Sequence, residues 1–152
     1  MQAVQVPPGF DADNAPNAED VEQGFAVLAV KHLETYWGIL NKVKGSALRL
    51  TKFDDDIMED LHKTFPDFDP AKPLDEDEMK SPEGKEKWRN FMMAYSKKVD
   101  DYNFGTIVRT RADGEYTNEG TIFVPRMQFY AIEIARNRAG LNDWVYEQAQ
   151  KK

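Results

Sequence analysis

Asp54, Asp55 and Asp56 stand in a row, and the Asp-x-Asp spacing of Asp54 and Asp56 is one that sugar-nucleotide transferases use to hold Mn²⁺ or Mg²⁺ against a diphosphate. Hard cations take clustered carboxylate oxygens, so the chemistry on offer is metal-assisted group transfer. The simpler reading is local. Acids in the first turn of a helix satisfy its free amides and suit the positive end of its dipole. The chain also lacks the alternating strand and helix pattern of a nucleotide-binding sheet, so neither metal nor cofactor is expected. His32 and His62 are the two histidines, both fall in helical patterns, and no catalytic pair is expected from them. Gly-rich phosphate loops, Gly-x-Ser-x-Gly elbows and His-Glu-x-x-His helices do not occur.

The arginines carry more. Arg109 and Arg111 fall on a β-hairpin, Arg126 opens a helix, and Arg136 and Arg138 close it. Arg136 reads as the partner of Glu133 one turn earlier. For Arg126 and Arg138 the sequence leaves two roles equally open, a local ion pair or a bidentate donor to the acids of another protein. Asp100 and Asp101 stand at the expected end of a helix, against its dipole, and a nearby Arg is the simplest reason for them.

The elements that must position these residues follow from spacing. Residues 121–138, TIFVPRMQFYAIEIARNR, read as a strand, a proline stop and a helix that is apolar almost all round, which places that helix centrally, with Gly140 to cap it. Residues 1–16 hold prolines, Asp11 and Asp13 but no Lys or Arg, and are expected to be disordered. A long helix capped by Asn17 follows, with Val21, Phe25, Leu28, His32, Tyr36, Ile39 and Val43 inward, Leu33, Trp37 and Leu40 widening the stripe, and Gly45 at its end. A second helix carries Ile57, Met58, Leu61 and Phe65 and stops at Pro66. The acidic loop 67–81 is given at most one helical turn. Ser81 and Pro82 then open a third helix with Trp88, Phe91, Met92, Tyr95, Val99 and Tyr102 at helical spacing. Runs of β-branched residues at 106–110 and 121–124 predict a hairpin over about 105–124, and 141–150 a last helix bearing Leu141, Trp144 and Val145.

The chain has 152 residues, 41% hydrophobic and 31% charged, which fits one globular domain over 17–150. It has no cysteine, which suits a reducing compartment, and no leader or membrane-spanning pattern, so a cytoplasmic protein away from membranes is expected. A net charge of −7 and a pI near 4.9 argue against direct nucleic-acid binding and favour a basic partner. Between positions 54 and 86, thirteen acids face four lysines, and this run is either a solvated face or a docking face for a basic surface.

Four segments resemble a known family: ALRLTKFDD at 47–55, KEKWRNF at 85–91, VDDYNFGTIVRT at 99–110 and TIFVPRMQFYAIEIARNRAGLNDW at 121–144. Over about residues 20–147 they are similar to the eukaryotic family labelled polysaccharide biosynthesis domain-containing protein, in a fungal-type form without the long charged tail of some relatives. The resemblance implies no sugar chemistry. It implies a dedicated chaperone for newly made translation elongation factor one-alpha. Such a chaperone captures the client's GTP-binding domain at the ribosome together with the nascent polypeptide-associated complex. The client family is basic, opposite in charge to this chain.

The expectation is therefore an α+β domain, predominantly helical, with about five helices around the central helix 126–138 and one hairpin, acting without catalysis. Client contacts are assigned to Phe104, Arg109, Arg126, Gln128 and Arg138, with Asp54 and Asp55 at the rim. Recruitment is assigned to an acidic face or to the last helix through Leu141, Trp144 and Val145. The alternatives are a sugar-nucleotide enzyme using the Asp54 and Asp56 site, and an adaptor that holds a partner with its last helix.

Overall fold

The computed structural model describes the backbone of residues 19–151 and the side chains of 26–151, and the expectations for residues 1–18, Val21 and Phe25 fall outside that range. The fold is α+β and predominantly helical, with a central helix, a ring of other helices and one two-stranded antiparallel sheet.

Helix α1 (Glu19–Lys42) lies against both the hairpin and the last helix. Its buried stripe runs through Ala29, Val30, Leu33, Tyr36 and Leu40. The expected stripe through Leu28, Ile39 and Val43 is corrected, because these side chains are 53%, 40% and 39% exposed. Ala29, Val30 and Leu33 pack with Ile107 of the hairpin, which sets the inward face to one side of Leu28. The helix also ends earlier than expected, and Gly45 opens a short 3₁₀ turn (Gly45–Ala47).

Helix α2 (Asp54–Thr64) buries Ile57, Met58 and Leu61 and stops before Pro66 as the spacing required. One turn of helix, α3 (Glu76–Met79), interrupts the acidic loop. Helix α4 (Pro82–Met93) starts where Ser81 accepts a hydrogen bond from the Gly84 amide at 3.1 Å. It ends at Met93, not near Tyr102. Tyr95 and Val99 remain buried, but residues 94–104 run in successive turns. These turns bend the chain onto the start of the central helix, where the amides of Arg126 and Met127 donate to the carbonyls of Phe104 and Tyr102 at 2.6 and 2.7 Å.

Strands β1 (Gly105–Arg109) and β2 (Thr121–Pro125) pair antiparallel, with Gly105 opposite Pro125 and Arg109 opposite Thr121. The tip of the Phe123 ring lies over Gly105, so a Cβ there would require that partly exposed ring to shift. Pro125 then starts α5 (Arg126–Arg138), in which ten residues are buried. Gly140, at φ 73°, closes it: its amide donates to Asn137 and that of Leu141 to Arg136, so the last carbonyls are satisfied. Helix α6 (Asp143–Gln150) packs back on α1. Among the described residues no helix is long and apolar enough to cross a membrane.

Candidate functional site

The turns of residues 94–104 bring Asp101, Tyr102 and Phe104 to one corner, where α5 begins. Arg126 Nη1 donates to Asp101 Oδ2 at 2.9 Å, and the Tyr130 hydroxyl donates to the same oxygen at 3.0 Å. Burial first, then the Asp101 carboxylate, pushes the Tyr130 phenol up to about 12. This is the arginine expected beside Asp101, and it means that Arg126 has a local partner. The same guanidinium carbon lies 5.9 Å from the centre of the Phe104 ring, which is 54% exposed. Met93, also 54% exposed, is touched by the Tyr102 hydroxyl at 4.0 Å. Behind the corner His32 meets the Thr106 hydroxyl at 2.6 Å and the edge of Phe129. Burial, followed by the charge of Arg126, lowers its pKa to about 4. What this corner offers is contact: an aromatic ring and a thioether in water, on backbone fixed by α5, beside an arginine whose position an acid sets.

Arg109 and Gln128 belong elsewhere. Arg109, expected at the client surface, is fully buried, and Gln128 is buried in α5. Arg109 joins a polar centre around Glu133 that spacing alone did not reveal. Glu133 Oε1 accepts from Tyr36 at 2.8 Å, from Asn142 at 2.8 Å and from Arg109 at 3.3 Å, while Oε2 accepts from Arg136 at 2.8 Å. Arg136 also donates to the Arg109 carbonyl, Arg109 to Asn142 Oδ1, and Asn137 to the Tyr36 hydroxyl. The Arg109 guanidinium lies 5.3 and 5.8 Å from the ring centres of Trp37 and Tyr116, which also meet each other edge-on. Burial drives the Glu133 carboxyl up, but the two guanidiniums and their hydrogen bonds outweigh it and hold the group below its ordinary value. The signal in the sequence was Glu133 and Arg136 inside an otherwise apolar helix. Arg109, Asn142 and Tyr36 come from distant segments with no pattern linking them.

Asp54 is corrected as well. It is 2% exposed, and its carboxylate accepts from the amides of Leu50 and Thr51 and the Thr51 hydroxyl at 2.7 to 2.8 Å. These bonds tie the preceding loop to α2, so Asp54 is neither a rim residue nor free to ligate a cation beside Asp56. Among the described residues no three His, Asp or Glu side chains are placed to hold a metal ion. Asp55 points outward and pairs with Arg138, their side chains 77% and 45% exposed. The hydrogen bond from Arg138, with its charge, lowers the Asp55 pKa. In the last helix, Val145 is buried and the Trp144 indole donates to the Ala112 carbonyl at 2.8 Å. Leu141 is half-buried, so the face expected to recruit a partner is part of the interior.

Comparison with known proteins places this geometry in a family. The family model described as PBDC1 protein matches residues 21–147. The chain is 60% identical over 139 residues to the Schizosaccharomyces pombe "Protein PBDC1 homolog", covering 90% of this chain and 95% of that protein. Human "Protein PBDC1" is 43% identical over 141 residues, 93% of this chain and 60% of the human protein. A solution NMR structure of a Saccharomyces cerevisiae protein superposes with a TM-score of 0.80 at 52% identity, over 92% of this chain and 98% of that one. These matches correct the family label expected above: the relatives are PBDC1 proteins, not a polysaccharide biosynthesis enzyme domain.

Proposed function

The chain belongs to the PBDC1 family, and from that premise we propose that it is a non-enzymatic chaperone that captures newly made translation elongation factor one-alpha. It binds the emerging GTP-binding domain in the cytosol, beside the ribosome and the nascent polypeptide-associated complex, and releases it on folding. The observation that carries this reading is the exposed Phe104 ring beside Arg126 and Asp101. An aromatic with a neighbouring arginine is the kind of anchor that dominates protein contacts. A surface of net charge −7 speeds the encounter with a basic client.

The test is client capture on translating ribosomes. Phe104→Ala removes an exposed ring, so the protein keeps its melting temperature while recovered client falls at least about tenfold. Undiminished capture by the folded variant rejects the assignment.

A further inference from the structure

A groove of about 360 Å³ opens on another face, between the loop after α2, the turn α3 and the start of α4. Its floor is aromatic and preformed. The rings of Phe65 and Trp88 lie 4.5 Å apart, with Phe68, Leu74 and Met79 beside them. The walls are pinned by backbone: the Leu74 amide donates to the Thr110 carbonyl at 2.8 Å, and α3 passes so near Gly84 that no Cβ fits between them.

The charge around this floor is one-sided. Asp67, Asp69, Asp75, Glu78 and Glu83 line the groove, against Lys72 and Lys87. Asp69 and Asp75 accept bonds from nearby amides, whereas no hydrogen bond or ion pair engages the carboxylates of Asp67, Glu78 or Glu83 among the described residues. The Lys87 ammonium already lies 6.0 Å from the centre of the Phe65 ring. Cations are therefore favoured here twice, by the ring face and by the surrounding acids.

We propose that this groove is a second docking site, taking an extended basic segment of a partner protein that places one large apolar side chain on the Phe65 and Trp88 floor and its lysines or arginines among the acids. An anionic ligand meets repulsion from the rim, and a purely apolar one leaves three carboxylates to be partly desolvated without compensation. The site is assigned from its own geometry, and it rests on the chaperone reading only in taking the segment to be client chain.

The experiment uses the full chain and a fluorescent decapeptide of alternating lysine and glycine with a central Phe-Leu pair, read by polarisation at low salt. Binding that weakens at least tenfold in the double variant Asp67→Asn, Glu83→Gln supports the proposal, provided the control Glu119→Gln, Glu147→Gln, with the same charge change elsewhere, binds as before. A peptide with Ser in place of Phe and Leu should bind equally less well. Equal weakening in both double variants means general charge attraction and overturns the proposal, as does an absence of binding. Client capture on ribosomes is read separately in Asp67→Asn, Glu83→Gln. If the peptide binds as expected and capture is unchanged, the groove stands and the identification of its occupant with client chain is overturned.

Discussion

Glu133 shows what one side chain can decide. It is the single carboxylate between two buried guanidiniums, and Arg136 Nε and Nη2 and Arg109 Nε have no hydrogen-bond partner among the described residues. Glu133→Gln keeps the shape and removes the charge, leaving both cations uncompensated, and should cost about 3 kcal/mol, seen as a fall of about 10 °C in the thermal midpoint. A midpoint within 2 °C of the parent would show that the centre is held by packing alone. Acid tests the same residue. The folded-state pKa is depressed, so this stabilisation is complete above the ordinary carboxylate value and drains away as pH falls through the lowered one. His32 acts at higher pH. The unfolded chain takes up a proton below about 6.5 while the folded one resists it to about 4, so stability falls as pH drops across that window. His32→Gln should flatten the dependence of melting temperature on pH between 6.5 and 4. A slope as steep as the parent's would remove His32 from the account.

At the scale of elements, α6 answers the question of an adaptor helix. Val145 is buried, Asn142 bonds to Glu133, and the Ser46 amide donates to Asp143 Oδ1 at 2.9 Å, so the C-terminal elements close the interior over α1. Ending the chain after Gly140 should abolish cooperative unfolding, seen by near-ultraviolet circular dichroism and calorimetry. A truncated chain that still melts sharply would return the helix to the role of a detachable handle. Periodicity made α2, α4 and the hairpin legible through one apolar face or a β-branched run, and α5 through its almost wholly apolar stretch between Pro125 and Gly140. It misread the α1 stripe, where Ala29 counts for more than Leu28, and it carried α4 through turns that keep helical spacing. Phe104, Arg126 and Asp55 were legible as exposed or paired surface residues. Arg109, Gln128 and Asp54 were not: Arg109 is buried by partners 24 and 33 positions away, Asp54 turns back onto the loop just before its helix, and polar side chains read as surface.

For the whole molecule, an excess of seven negative charges makes attraction to a basic partner long-ranged at low salt and short at high salt. The association rate with a folded basic client domain should fall at least about tenfold between 50 and 500 mM salt, with a much smaller change in dissociation, in stopped-flow measurements. A rate indifferent to salt would place recognition in apolar contact alone. The same map separates two chemistries in space, the arginine-backed ring at the head of α5 and the acid-lined aromatic groove beside α4.

The bond from Asn137 to the Tyr36 hydroxyl joins residues 101 positions apart, and that from Ser46 to Asp143 spans 97. Such closures form only when both segments are present, so these two bonds are strongly non-local. A chain growing on the ribosome holds Tyr36 without its partners until residues 133–142 have emerged. Tyr36 and Ser46 therefore gain these partners late in the emergence of the domain, whatever the order in which its helices form.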